Sequence, residues 1–357
     1  MIPSIDINIT KVPSMGIPCK TTTQELLLPA PTPTTSVSSL QPTSVIPDLG
    51  VLDPKLLSKR AGFGMSTQAL PEFWAKQLHS GWFISWDVLK RLPSTLPEHW
   101  QMVRLKPGCI YPSKEYIAWV AAQYPGNVWI IGNEPDVIWQ DGVTPEEYAI
   151  VYHEIYYLIK SADPTAKIAV AGLSQATPLR IAYLDRVLTE YRRLFSIAMP
   201  VDWWTIHGFV LREERDSWGA GIPPGMTQDT GELREVSDNG SLELFKKQII
   251  DFRNWMAKNG YRDTPLALTE FGILMPPNYG YPEVVVTKYL QDTFSWLQDT
   301  KDEEIGYSHD ENHLVQQWAW FSLSDPLYPS PNLANLATGE LTPLGMAYRE
   351  YILTHLP

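Results

Sequence analysis

Eight short apolar runs recur along the chain, separated by longer amphipathic stretches, and this alternation restricts the fold more than any other feature of the sequence. The runs are Ala61–Met65, Trp82–Trp86, Gln101–Leu105, Asn127–Ile131, Lys167–Gly172, Asp202–His207, Pro265–Glu270 and Val315–Phe321. Each is too short for a helix and lacks the polar alternation of a half-exposed strand, so they read as strands buried on both faces. The intervening stretches carry helix signals. Ser113 precedes KEYIAWVAAQ as an N-cap; Thr144 precedes PEEYAIVYHEIYYLIK, with proline first, acids in the first turn and Lys160 near the end; Ser241 opens a third helix that Gly260 closes. Strand and helix alternating eight times predict an α/β protein, a (β/α)8 barrel. A doubly wound sheet is the alternative, but no glycine-rich phosphate turn follows the first run.

The barrel is expected over residues 56–357. Residues 1–55 differ in composition: LPAPTPTTSVSSLQPTSVIP is rich in Pro, Ser and Thr and buries too little to order itself, so a linker or stalk is expected there. Such a stalk suits a secreted or cell-surface protein whose leader has been removed, although no leader is visible. A net charge of −12 disfavours a nucleic-acid partner, and no apolar run approaches the roughly 18 residues of a membrane span. Asn8 and Asn239 stand in glycosylation-type triplets. Cys19 and Cys109 form neither a framework nor a metal pair and read as a chance pair of thiols. No cofactor or metal is expected. His153 and Glu154 fall within an amphipathic helix, and His309 and His313 in a polar loop. A monomer is the expected state.

In a barrel of this kind chemistry sits where strands pass into the loops that follow them. The fourth run, NVWII, continues into Gly132-Asn133-Glu134-Pro135, and the seventh, PLALT, ends on Glu270. One strand-end glutamate is an ordinary structural acid. Two, each at the same end of its own strand, converge on one cleft. Glycosidic cleavage uses such a pair, one carboxyl protonating the departing oxygen and the other meeting the positive charge that develops at the sugar carbon. Their environments must separate the two pKa values.

With these residues in place the chain resembles the clan-A retaining glycoside hydrolases, (β/α)8 enzymes with Asn-Glu-Pro after strand four. The resemblance implies that Glu134 is the acid/base, that Glu270 is the nucleophile and that Asn133 bonds the sugar 2-hydroxyl. The interval of 136 residues between the glutamates (270 − 134) accommodates three βα units. Many clan members carry an arginine at the end of strand two; WFISWDV has none. Asn133-Glu134-Pro135-Asp136, an aromatic-rich strand two and Trp318-Ala319-Trp320-Phe321 are similar to a subgroup of endo-β-1,3-glucanases. The activity implied is endo-cleavage of a β-glucan or related polysaccharide with the carboxyls roughly 5–5.5 Å apart.

Other residues are expected to contact sugar or support the pair. His207 ends the sixth run, where it would hydrogen-bond a sugar hydroxyl or Glu270, keeping the nucleophile ionised. By the same resemblance Trp320 would floor the cleavage subsite. Gln175 follows the fifth run; Trp139, Tyr279 and Tyr281 lie in loops after the fourth and seventh. Arg104 and Lys106 on the third run would pair with a carboxylate, in the site or as a structural ion pair. The segment from Phe209 to Gly240 is long for a loop in a compact barrel, and with Trp218 it is expected to wall the cleft. The rival from another class is a lectin-like barrel that keeps the cleft without chemistry, and a metal-dependent hydrolase is a third reading.

Overall fold

The computed structural model describes residues 53–66 and 70–355. The expected linker lies almost wholly outside them. Among the described residues, eleven strands and seven α-helices follow one another. The barrel consists of β1 (Ser58–Gly64), β2 (Ser80–Ile84), β3 (Glu98–Lys106), β5 (Val128–Ile131), β6 (Lys167–Val170), β7 (Trp204–His207), β8 (Leu266–Phe271) and β9 (Gln317–Trp320). All run parallel in the order β6-β5-β3-β2-β1-β9-β8-β7, and bridges Ala169–Trp203 and Leu173–Ile206 join β6 to β7 and close the ring. This is the (β/α)8 barrel, and each apolar run became one of its strands.

Helices α1 (Pro71–Leu78), α2 (Lys114–Gln123), α3 (Pro145–Ala162), α4 (Pro178–Phe195), α5 (Leu242–Lys258), α6 (Glu283–Asp299) and α7 (Pro343–His355) surround the strands. No helix lies between β2 and β3, and β4 (Cys109–Tyr111) folds back antiparallel on β3. The short pair β10 (Ala334–Asn335) and β11 (Glu340–Leu341) precedes α7. Caps fall where the sequence places them. Ser113 Oγ accepts from Tyr116 N, Ser241 Oγ accepts from Leu244 N, and Thr144 and Glu147 form a reciprocal capping box at α3. No described helix is long and apolar enough to cross a membrane.

The tryptophans show how the barrel is filled. Inside the ring Trp82, Trp100 and Trp203 pack with successive ring centroids 5.0 Å apart, the first pair tilted and the second edge-on, together with the small Ala169, Ala267 and Ala319. Trp74, Trp129, Trp204, Trp318 and Trp320 are buried between strands and helices. Each such side chain contributes roughly 1.5–3 kcal/mol from burial. Most of the fourteen are therefore core, and Trp86, Trp139 and Trp218 stand at the strand C-terminal end of the barrel.

Cys109, at the start of β4, is in a disulfide, which corrects the expectation of two chance thiols. The sequence's other cysteine, Cys19, lies outside the described residues.

Candidate active site

Strand β5 stops at Ile131, but its chain keeps hydrogen-bonding to both neighbours: Gly132 N donates to Val103 O (2.7 Å) and Glu134 N to Gly172 O (3.1 Å). Glu134 itself takes φ 45°, a conformation side chains other than Asn and Asp rarely adopt, so its carboxyl is aimed by a backbone that the sheet overrides. Below it, Asp141 accepts from the backbone N–H of Asn133 (2.6 Å) and Leu105 (2.9 Å) and pairs with Arg104 Nε at 2.8 Å. Of the two roles open to Arg104, the structure gives the structural ion pair. Lys106 donates to Gln140 O.

Strand β8 brings Glu270 to the same mouth by a bulge. Ile206 faces Leu268 and His207 faces Glu270, so one extra residue, Thr269, enters β8; the pairing with β9 shifts at the same point. The extra residue turns Glu270 toward the cleft and beside His207.

His207, fully buried, stands between the two acids. Its Nδ1 is 2.9 Å from Glu134 Oε1 and its Nε2 is 3.6 Å from Glu270 Oε1. The direct hydrogen bond therefore goes to Glu134, and Glu270 is faced by the other nitrogen at longer range. Glu270 Oε1 instead accepts from Trp86 Nε1 at 2.6 Å. Trp86 follows β2, the position at which the resemblance leads one to look for an arginine.

Burial dominates the electrostatics. It pushes the Glu270 carboxyl up to about 7, with His207 pulling it down, Glu134 pushing it further up and the Trp86 hydrogen bond lowering it. Burial works against a charged His207, but Glu270 and Glu134 outweigh it and hold the imidazole above its usual range. A buried imidazolium between two carboxylates can donate from both nitrogens.

Above this constellation opens a cleft of about 650 Å³, lined by both glutamates. Trp139, Trp218 and Tyr279, expected as sugar platforms, all line it, together with Phe321 and Tyr328. The Phe209–Gly240 segment supplies a wall through Leu211, Trp218, Gly219 and Ala220. Asn133 is buried beside Glu134, its Oδ1 without a partner. Trp320, Gln175 and Tyr281 stand outside the lining, as do the buried Asn133 and His207. Trp320 is fully buried against Phe271 and Phe294, its Nε1 donating to Pro331 O (2.8 Å), and its neighbour Phe321 faces the cleft. Gln175 uses its amide on Leu211 O (3.0 Å), Leu211 N (2.7 Å) and Glu213 (2.9 Å), which fastens the wall. Tyr281 ties Val236 and Gly240 in the same way. Asn239, of the second glycosylation-type triplet, is buried, bonding Val210 O and Leu274 N.

Sequence reasoning missed three features. Trp86 was hidden by reading its run as plain core, although the absent arginine marked the vacancy. Arg180, buried in the first turn of α4, bonds Asp136, pairs with Glu213 at 2.8 Å and donates to Gly221 O at 2.9 Å, joining the β5 loop to the cleft wall. Ser174, at the cleft, bonds Asp136 through Oγ (2.9 Å). The histidines set aside for metal do other work: His153 stacks flat on Phe195 at 3.6 Å, and His313 Nδ1 is 2.7 Å from Asp310 O. Among the described residues no group of three or more His, Cys, Asp or Glu gathers as metal ligands would.

No protein-family model matches the sequence, and no curated protein matches it. Solved structures do share the fold. An endo-β-1,3-glucanase of family GH128, subgroup II, from Sorangium cellulosum superposes with TM-score 0.55 at 17% identity, covering 84% of this chain and 98% of its own. The subgroup II endo-β-1,3-glucanase from Pseudomonas viridiflava gives 0.57 at 16% identity, covering 84% and 98%. A subgroup III curdlan-specific exo-β-1,3-glucanase from Blastomyces gilchristii, in complex with glucose, gives 0.52 at 18% identity, covering 81% and 97%. At these identities the likeness is one of fold, the (β/α)8 barrel.

Proposed function

We propose that the protein is a retaining glycoside hydrolase that cleaves β-1,3-glucan internally. The observation that carries the reading is the Glu134–His207–Glu270 constellation at the strand C-terminal mouth of the barrel, beneath a cleft with exposed aromatic rings. Glu270 attacks the anomeric carbon while Glu134 protonates the departing oxygen; Glu134 then takes a proton from the water that releases the sugar. Burial raises the Glu270 carboxyl to about 7, so the nucleophile is ionised above neutral pH, and in the buried site its charge acts strongly on the anomeric carbon. Asn133, with an unpartnered Oδ1 beside Glu134, bonds the hydroxyl next to the cleavage point. Trp139, Trp218 and Tyr279 stack on the flat faces of neighbouring sugars.

The endo specificity and the β-1,3 linkage are supported by the fold neighbours, two of which are described as endo-β-1,3-glucanases, while a third is described as exo-acting. A polymeric substrate of this kind also fits an enzyme that works outside the cell.

The test is reducing-end release from laminarin, curdlan, xylan and mannan by the wild type and Glu270→Gln, with product lengths and the anomer first formed read by chromatography and proton NMR. Laminarin cut to mixed oligosaccharides of β configuration, and no release by Glu270→Gln, is the expected result. Glucose alone would make the enzyme exo-acting; α products first would make it inverting. Binding without release would leave a lectin-like barrel.

A further inference from the structure

We propose that Trp86 is a positioning residue that fixes which oxygen of Glu270 reacts: its indole N–H holds Oε1 and leaves Oε2 to meet the anomeric carbon. The inference rests on Glu270 being the nucleophile, as read above. Trp86 Nε1 donates to Oε1 at 2.6 Å, and His207 Nε2 faces that same oxygen at 3.6 Å. Among the described residues no hydrogen bond reaches Oε2. One oxygen is therefore committed to the protein and the other is free toward the cleft that Glu270 lines.

Trp86 is itself firmly placed. It has φ 55°, which turns the chain out of β2 and swings the ring across the barrel mouth. The ring lies on Gly64, where a Cβ would come within 2.9 Å of it, and stands edge-on to Phe321 at 5.8 Å. A glutamate's terminal torsion is broad and twofold, so an unrestrained carboxyl would exchange its oxygens by rotation. A fixed indole removes that freedom. It also differs from a guanidinium in kind: it is a neutral group with a single N–H, without the several donors and the positive charge that would reach both oxygens.

In the first step an Oε2 electron pair forms the bond to the anomeric carbon. The bond to the leaving oxygen breaks, and that oxygen keeps the electron pair and takes the proton of Glu134. Oε1 becomes the carbonyl oxygen of the glycosyl ester, and the Trp86 N–H remains on it. Water then restores the carboxylate, with Glu134 accepting its proton. The groups that set the charge of Glu270 are His207 on β7, Glu134 beyond β5, Arg104 on β3 and the Trp86 donor beyond β2. Of these, only Trp86 combines a direct hydrogen bond with no titration of its own.

The experiment compares wild type, Trp86→Phe, Glu270→Gln and a protein carrying benzothienylalanine at position 86, which keeps the shape of tryptophan without its N–H. Hydrolysis of laminari-oligosaccharides is followed across pH, with thermal melting as the check on folding. The benzothienyl protein is expected to melt with the wild type and to lose about 10–100-fold in kcat, as a misplaced reacting group does, at nearly unchanged KM. The acid limb of its kcat/KM profile should move to higher pH, because a donor that favours the ionised Glu270 is gone. A benzothienyl protein with wild-type kcat and acid limb, or with a loss confined to KM, overturns the positioning role. An active Glu270→Gln instead overturns the reading of Glu270, whatever the Trp86 variants do.

Discussion

The Nδ1 of His207 lies 2.9 Å from Glu134 and its Nε2 faces Glu270 at 3.6 Å, so a single buried ring answers to both acids. Replacing it by asparagine removes that link. His207→Asn is expected to lower kcat about 10²-fold, the usual scale for a group that manages a reacting proton, with a smaller effect on KM. Its effect on stability depends on pH. The folded protein holds the imidazole above its usual pKa, so its contribution is complete below the unfolded value near 6.5 and fades as pH rises through the folded one. Urea unfolding should therefore show a larger loss for the variant at pH 6 than at pH 9.

Glu270 is shifted in the same direction, but in a carboxyl a raised pKa penalises the charged form. Its carboxyl is raised from 4.5 to about 7, so ionising it costs stability progressively between those values, and the full cost is present above 7. Two and a half pKa steps correspond to roughly 3 kcal/mol. Glu270→Gln should be inactive yet more stable than wild type at pH 8, by an amount up to that figure, and nearly equal to it at pH 4. A variant less stable than wild type at pH 8 would count against the burial argument.

Asp141 supports the site from beneath. It is fully buried, pairs with Arg104 and accepts the backbone N–H of Asn133 and Leu105. Asp141→Ala leaves a cation and two donors without their partner, at a cost of about 3–5 kcal/mol. Calorimetry should show a lowered Tm, and the surviving folded enzyme should have reduced kcat because the backbone at Asn133 is no longer held.

Gly172 allows the imidazole to sit where it does. A Cβ there would lie 2.6 Å from His207 Cδ2 and 3.0 Å from Thr269 Oγ1. Gly172→Ala must displace the ring or the strand. Activity is expected to fall by about 10²-fold, as for other small misplacements of a catalytic group, with far-UV circular dichroism unchanged. Wild-type activity in this variant would mean that the position of the ring is not critical.

Much of this was legible in the sequence because the barrel repeats one physical pattern. Each buried strand must be a short apolar run, and a run that ends on Asn133-Glu134 or Thr269-Glu270 announces its polar end. The caps at Ser113, Thr144 and Ser241 were equally plain, since capping is local. What escaped depends on contacts between distant segments. The bulge at Thr269 is defined only by its partners on β7 and β9. Trp86 and Trp320 are both aromatics near strand ends, and nothing in their neighbours tells which faces the acids and which the core. Gln175 has the composition of a sugar ligand, but its amide is taken up by Leu211 and Glu213. The missing helix between β2 and β3 left no mark beyond the prolines of that stretch.

The Arg180 clamp sets how this protein can change. The cleft wall takes its bearing from an arginine inside α4 that grips Asp136, Glu213 and Gly221 from below, while Leu211 and Trp218 project from the far side of the same segment. Support and contact are thus carried by different residues of one loop. Mutational drift can redraw the surface that meets a ligand, one side chain at a time, over an anchor that stays put. A wall built this way is a template for diversification, and libraries confined to its outward positions would explore new specificities at little risk to folding.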